Sequence, residues 1–157
     1  MAYARANRRL FQLSCHISRP AASVSDCLVP CANEKVTGVS PITTHILDTS
    51  VGRPAAGVPV RLYEFEKSTS QWKERSPAGR VTNSDGRVSD LLPAGSLSPG
   101  LYKLWFDTAG YFSKRPGLEN GFFYPYVEVV FTIKETDGHY HIPLLLSPFG
   151  YSTYCGS

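Results

Sequence analysis

Apolar and polar residues alternate with a period of two along most of the chain from Pro41 onward. This pattern is typical of strands that bury one face, because successive side chains of a strand point to opposite sides. Gly, Pro, Asn and Asp separate the alternating stretches at short intervals, as turns require. The stretches are ITTHILDT, VPVRLYEF, QWKER, LYKLWFD, FFYPYVEVVFTI and HYHIPLLL.

The order of these stretches predicts an all-β fold. About seven short strands without a βαβ rhythm indicate an antiparallel sandwich or barrel. The dipeptide Asp137-Gly138 separates the last two long stretches, which predicts a β-hairpin at that point. A turn is expected at Asn83-Ser84-Asp85-Gly86, and one short helix is expected from Thr108 to Lys114.

The composition changes near residue 40. Residues 1–25 contain several arginines but no Asp or Glu, and they lack the apolar run of a secretory signal, so they favour a targeting extension. Residues 18–40 have no periodic pattern and are predicted to be a linker. We therefore divide the chain into residues 1–40, a targeting extension with its linker, and residues 41–157, one folded domain.

The extension contains the segment RLFQLSCHI, from Arg9 to Ile17. On a helix, its arginine, its two leucines, its histidine and Ile17 would share one face. The segment resembles the type 2 peroxisomal targeting signal, with Ile17 where leucine is usual. The resemblance implies binding to the peroxisomal import receptor and a location in the peroxisome. The alternatives are a mitochondrial presequence or a disordered basic tail, with the mitochondrion or the cytoplasm as the location. Whether the extension is cleaved stays open.

Charge and cysteine content exclude several kinds of function. The 157 residues carry a formal net charge of +3, spread along the chain, which is too weakly basic for a nucleic-acid-binding stripe. No apolar run approaches the roughly 18 residues that span a bilayer. Cys27 and Cys31 have the spacing of half a zinc site, but no second pair of ligands accompanies them. We therefore expect no nucleic-acid or membrane partner, no metal and no cofactor.

Histidines interrupt two of the apolar stretches. In HYHIPLLL, the alternation puts His141 on the outward face with Pro143 and Leu145. An outward face with this much apolar surface indicates contact with another subunit. His45 faces outward in ITTHILDT. A single histidine of this kind more often bonds a backbone carbonyl than acts in a site, but two on separate strands favour a shared site. Arg87, just after the predicted turn, is either a solvated loop residue or the cation of that site.

Three segments resemble the transthyretin-related proteins, specifically the 5-hydroxyisourate hydrolases. They are ITTHILDTSVGRPAAGVPVRL, TNSDGRVSDLL, and FYPYVEVVFTI followed by HYHIPLLLSPFGYSTYCGS. The resemblance covers residues 41–157. It implies a transthyretin-like sandwich of two four-stranded antiparallel sheets with one short helix. It also implies a homotetramer, with active sites in the channel where dimers meet.

The resemblance further implies a metal-independent hydrolase of urate degradation in purine metabolism. Its substrate, 5-hydroxyisourate, is opened at a cyclic amide to give 2-oxo-4-hydroxy-4-carboxy-5-ureidoimidazoline. The family's catalytic positions match His45, Arg87, His141 and Ser157, and its substrate-binding positions match His45, Arg87 and Tyr154. Neutral imidazoles can take a proton from water, and a guanidinium can hold an anionic, carbonyl-rich edge. Which histidine acts as the base stays open.

Cys155 is the one clear departure from the family's signature motifs. The family's chains end Tyr-Arg-Gly-Ser, whereas this chain has Cys155 in place of the arginine. A missing cation near an anionic substrate makes a catalytically weakened homologue one alternative. A transthyretin-like carrier of a small ligand is another, because fold does not settle function. The effect of Cys155 on activity stays open.

Overall fold

The structure of the protein is a computed structural model, which describes residues 38–118 and 121–156. The predicted targeting extension lies outside the described residues, so the domain boundary near residue 40 stays a prediction. The elements are, in chain order, β1 (Ile42–Asp48), β2 (Arg53–Pro54), β3 (Val60–Glu66), β4 (Gln71–Glu74), β5 (Arg87–Val88), β6 (Gly100–Phe106), α1 (Thr108–Phe112), β7 (Val127–Ile133), β8 (Tyr140–Ser147) and β9 (Gly150–Thr153).

The strands form two sheets, which confirms the predicted all-β sandwich. One sheet has the order β2-β1-β8-β9, with the short β5 also paired to β1, and the other has the order β4-β3-β6-β7. Among the strand pairs of the described residues, only β1 and β8 run parallel to each other. These two strands lie at opposite ends of the domain sequence, so no tight turn joins them and an antiparallel arrangement is not imposed.

The inward faces of the two sheets form the hydrophobic core. Ile42 and Ile46 on β1 and Leu144 on β8 have no exposed surface. Leu62 on β3 and Leu104 on β6 belong to the same cluster from the other sheet. Full burial of such a side chain stabilises the fold by roughly 1.5–3 kcal/mol. The inward faces therefore hold the sandwich together, and the outward faces of β1 and β8 are available for a site.

The prediction of a β-hairpin at Asp137-Gly138 is wrong. Strand β7 pairs with β6 in one sheet, whereas β8 pairs with β1 and β9 in the other. The segment between β7 and β8 therefore crosses from sheet to sheet. A local turn signal cannot reveal which partner each strand will take. The hairpin partner of β8 is β9, a strand that the sequence pattern did not predict.

The predicted short helix is present as α1, although it ends at Phe112 instead of Lys114. Asp107 caps its first turn, because the side-chain oxygen accepts a hydrogen bond from the N–H of Gly110 at 2.8 Å. Within the two described ranges, no helix has the length and apolar character needed to cross a membrane.

A buried carboxylate ties the end of β1 to the segment around α1. Asp48 has no exposed surface. One of its oxygens accepts a hydrogen bond from the hydroxyl of Tyr111 at 2.9 Å and forms an ion pair with Arg115. The other accepts the N–H of Ser50 at 2.9 Å. Burial, reinforced by the bond to Asp48, raises the pKa of Tyr111 to about 12, so this phenol stays a hydrogen-bond donor.

Candidate active site

The outward faces of β1 and β8 bring the two predicted site histidines onto one surface. In the parallel pairing of these strands, Thr43 stands beside His141 and His45 beside Pro143. Alternation along each strand turns all four side chains away from the core. Thr43 is only 9% exposed, whereas both histidines are partly exposed. Both histidines therefore face outward, as the alternation predicts.

Arg87 reaches the same surface from β5. It stands directly opposite His45 in the antiparallel pairing of β5 with β1, so the two side chains share a face. The preceding turn fixes this position, because the side-chain oxygen of Asn83 accepts the N–H of Arg87 at 2.9 Å. Gly86 in that turn has a φ of +72°, and a Cβ there would lie 2.4 Å from the carbonyl oxygen of Ile46. Only glycine fits this position.

Burial and the charge of Arg87 keep the site histidines neutral. The pKa of His45 is lowered from its ordinary value of 6.5 mainly by burial and then by Arg87, while Asp85 acts in the opposite direction. The pKa of His141 is also lowered mainly by burial and then by Arg87, with further contributions from the neighbouring histidines. Both imidazoles are therefore uncharged near neutral pH and able to accept a proton.

Thr43 and His139 belong to the same cluster, although the sequence did not single them out as site residues. The Thr43 hydroxyl oxygen lies 2.9 Å from Nδ1 of His141 and 3.0 Å from Nε2 of His139. The two rings are nearly parallel, with an interplanar angle of 14° and centroids 6.4 Å apart. Alternation along the strand places His139, two residues before His141, on the same face, whereas a threonine is so common in strands that it gives no distinct signal.

The chain end folds back onto His141. The N–H of Gly156 donates to the carbonyl oxygen of His141 at 2.9 Å, and the two residues form an isolated antiparallel bridge. Tyr154 is 57% exposed. Ser157, the remaining predicted site residue, lies outside the described residues. The structure thus brings His45, Arg87 and His141 together, while the predicted roles of Tyr154 and Ser157 stay predictions.

The cluster has the groups needed to add water to a small polar molecule. A neutral imidazole can remove a proton from water. A guanidinium can stabilise a negatively charged oxygen with charge-assisted hydrogen bonds.

The fold and the site together define a transthyretin-like β-sandwich that carries a polar, histidine-containing site on the outer face of one sheet. The chain belongs to the HIUase/Transthyretin family, whose profile matches residues 42–156. This match confirms the resemblance drawn from the sequence.

Relatives of the chain include enzymes and transthyretins. The 5-hydroxyisourate hydrolase of Mus musculus is 50% identical over 121 residues, which are 77% of this chain and 98% of the mouse protein. The structure of Klebsiella pneumoniae 5-hydroxyisourate hydrolase is 34% identical with a TM-score of 0.61, covering 74% of this chain and 97% of that one. Sea bream transthyretin in complex with thyroxine is 30% identical with a TM-score of 0.66, covering 74% and 95% respectively.

Proposed function

We propose that this protein hydrolyses 5-hydroxyisourate, opening its cyclic amide to give 2-oxo-4-hydroxy-4-carboxy-5-ureidoimidazoline in urate degradation. The observation that carries the proposal is the cluster of His45, Arg87 and His141 on one outer sheet face, with both imidazoles held neutral. The mouse relative, 50% identical, is a 5-hydroxyisourate hydrolase.

The reaction begins when one of the two neutral imidazoles takes a proton from water. The water oxygen attacks the carbonyl carbon of the cyclic amide at the same time. Negative charge develops on the carbonyl oxygen, and Arg87 stabilises it with charge-assisted hydrogen bonds. The carbon–nitrogen bond then breaks, and the departing ring nitrogen takes a proton from the histidine that accepted one from water. The histidine returns to its starting form, and every proton moves between these side chains, the water and the substrate.

The ultraviolet decay of freshly generated 5-hydroxyisourate, followed with and without the purified protein, tests this function. We expect the protein to accelerate the decay, and a chelator to leave the accelerated rate unchanged. A decay equal to the spontaneous one would overturn the enzyme proposal. Activity that a chelator abolishes and zinc restores would overturn the metal-free mechanism.

A carrier of a small ligand is the second candidate function, favoured by the similarity to sea bream transthyretin in complex with thyroxine. Ligand-binding pockets are lined mostly by apolar side chains, whereas the outer face described here presents two imidazoles and a guanidinium. Equilibrium dialysis with thyroxine separates the two functions. A carrier would bind thyroxine and leave the decay of 5-hydroxyisourate unchanged, and a weakened homologue would give a small but measurable acceleration.

We also propose that the active form is a homotetramer, as the family resemblance implies. Phe123 and Phe149 are each 71% exposed, and the N–H of Phe123 donates to the carbonyl oxygen of Pro148 at 2.8 Å, so the two loops lie side by side. An exposed aromatic patch of this kind is typical of a surface that another subunit covers. Light scattering at micromolar concentration is expected to give the mass of a tetramer, and a monomer would contradict the proposal.

For the cellular location, we propose import into peroxisomes through the segment from Arg9 to Ile17, which lies outside the described residues. The support is its resemblance to the type 2 peroxisomal targeting signal. Residues 1–17 fused to a fluorescent protein should direct it to peroxisomes, and His16→Ala should abolish this. Mitochondrial accumulation of the fusion would favour the alternative presequence.

A further inference from the structure

The hydroxyl of Thr43 lies between two imidazole rings. It is 2.9 Å from Nδ1 of His141 and 3.0 Å from Nε2 of His139. Thr43 is only 9% exposed, so water competes little for these bonds. A hydroxyl has one hydrogen to donate and two lone pairs that accept, and each nitrogen of a neutral imidazole either donates or accepts.

Two arrangements let the hydroxyl donate to one ring and accept from the other. In the first, the proton of His141 is on Nδ1 and is donated to Thr43, whose hydroxyl proton is donated to the bare Nε2 of His139. In the second, both directions are reversed. Only the first leaves Nε2 of His141 with a free lone pair, which a general base requires.

We propose that the first arrangement is the resting state, and that Thr43 is a positioning residue through which His141, as the base, passes a proton to His139. The proton transfer rests on the proposed hydrolase function, whereas the hydrogen-bond arrangement does not. Nε2 of His141 takes a proton from the attacking water, and the Nδ1 proton moves to the Thr43 oxygen. The hydroxyl proton of Thr43 moves at the same time to Nε2 of His139.

The proton count balances at each stage. After the transfer, His141 is neutral with its proton on Nε2, and the positive charge is on His139. When the Nε2 proton of His141 is donated to the departing ring nitrogen, the two transfers through Thr43 run backwards and the resting state returns. His141 therefore serves as base and then as acid without itself holding the positive charge between the two steps.

Electrostatics favours His139 as the place for that charge. Arg87 acts on the pKa values of both His45 and His141 and lowers them. The pKa of His139 is lowered by burial. The Asp85 carboxylate acts in the opposite direction and raises the pKa of His45. A positive charge on His139 is therefore less opposed by Arg87 than one on His141.

Nitrogen NMR of the histidine rings, recorded on the full-length protein above the histidine pKa values, tests the resting arrangement. The proposed proton transfer from His141 through Thr43 to His139, called the relay below, predicts that both histidines carry their proton on Nδ1. It also predicts that Thr43→Val changes the tautomer population of at least one of them. A wild-type protein with the proton on Nδ1 of His141 and Nε2 of His139 would overturn it, since Thr43 would then accept from both. Unchanged tautomers in Thr43→Val would also overturn it.

Kinetics provides the second test, with Thr44 as a matched control. Thr44 is the next residue on β1, but its hydroxyl donates to the carbonyl oxygen of Ile142 at 2.6 Å on the core side. Thr43→Val is expected to lower kcat at least about tenfold while KM changes less than about twofold. Thr43→Ser should restore most of kcat, and Thr44→Val should leave kcat unchanged.

A third variant, His139→Phe, keeps the relay testable if Thr43→Val does not fold, and it should lower kcat as Thr43→Val does. Wild-type kcat in folded Thr43→Val or His139→Phe would overturn the relay, as would an equal loss in Thr44→Val. The NMR result does not depend on turnover. A protein that fails to accelerate 5-hydroxyisourate decay but has both protons on Nδ1 would refute the proposed function and leave the hydrogen-bond arrangement standing.

Discussion

Gly156 lies against the imidazole ring of His141. Its N–H donates to the carbonyl oxygen of His141 at 2.9 Å. A Cβ on residue 156 would lie 2.6 Å from Cδ2 of His141 and 3.1 Å from Cγ of Pro143. The chain end can pack this closely on the histidine only because residue 156 has no side chain.

The variant Gly156→Ala should therefore displace either the His141 ring or the chain end. A misplacement of about 1 Å in a catalytic group can cost on the order of a hundredfold, so we expect kcat/KM for 5-hydroxyisourate to fall at least about tenfold. Gly150→Ala in β9 is the matched control, because its Cβ would meet only the Ser147 hydroxyl oxygen at 3.7 Å. Equal activity of the two variants would mean that this contact does not position His141.

The pH dependence of activity should depend on Arg87. A protonated imidazole cannot accept a proton, and the pKa values of His45 and His141 are lowered from 6.5, so the rate should fall only at pH values below 6.5. The substitution Arg87→Gln removes a positive charge that lowers both pKa values, so the pKa values of His45 and His141 should rise. The acidic limb of the kcat/KM profile should therefore move to higher pH, in addition to a loss of rate.

Arg53→Gln is the control for this shift, because Arg53 is an exposed residue of β2, and β2 pairs with Leu47 and Asp48 at the end of β1, not with His45. Its profile should match that of the wild type. A normalised Arg87→Gln profile that superimposes on the wild-type profile would mean that neither histidine is the titrating base.

Asp48 should be far more important for stability than an exposed carboxylate. Removing one partner of a buried ion pair costs about 3–5 kcal/mol, and Asp48→Ala also takes the acceptor from Tyr111 and Ser50. Urea unfolding should show a loss of this size. Glu128→Ala, which breaks the more exposed pair with Lys103, should cost less than about 1 kcal/mol. Similar losses in both variants would contradict the anchoring role of Asp48.

Cys155 occupies the position where the family pattern has arginine. A cation there would lie near a site that handles an anionic substrate, and one charge-assisted hydrogen bond contributes about 1.5–3 kcal/mol. Cys155→Arg should therefore raise kcat/KM at least about tenfold at low salt. Cys155→Ser is the control. Both substitutions remove the cysteine sulfur together with its bonds, but only Cys155→Arg adds a charge. Equal rates would assign no catalytic charge to this position.

The faces of the strands could be predicted from the sequence because burial imposes a local period of two. The alternation in β1 and β8 placed His45 and His141 outward, and the turn ending at Gly86 marked Arg87 as the residue that follows it. The family resemblance then joined these separate residues into one site.

The pairing of strands could not be predicted, since it depends on contacts between distant parts of the chain. Nothing local shows that β8 lies parallel to β1, which is why the contact between Thr43 and His141, 98 positions apart, was not foreseen. For the same reason, the Asp137-Gly138 signal predicts a hairpin between β7 and β8, whereas these strands belong to different sheets. The packing of Gly156 on His141 could not be predicted either, because a single glycine near the chain end has no pattern of its own.

The central claim is that His45 and His141 carry out the hydrolysis, and kcat/KM for 5-hydroxyisourate in His45→Ala and His141→Ala tests it most directly. Each substitution removes a candidate acid–base group, which contributes about a hundredfold or more to a rate. Both side chains face outward, so the unfolding temperatures should stay close to that of the wild type. The account predicts a loss of at least about a hundredfold in each folded variant. Wild-type turnover in either variant, or failure of either to fold, would contradict it.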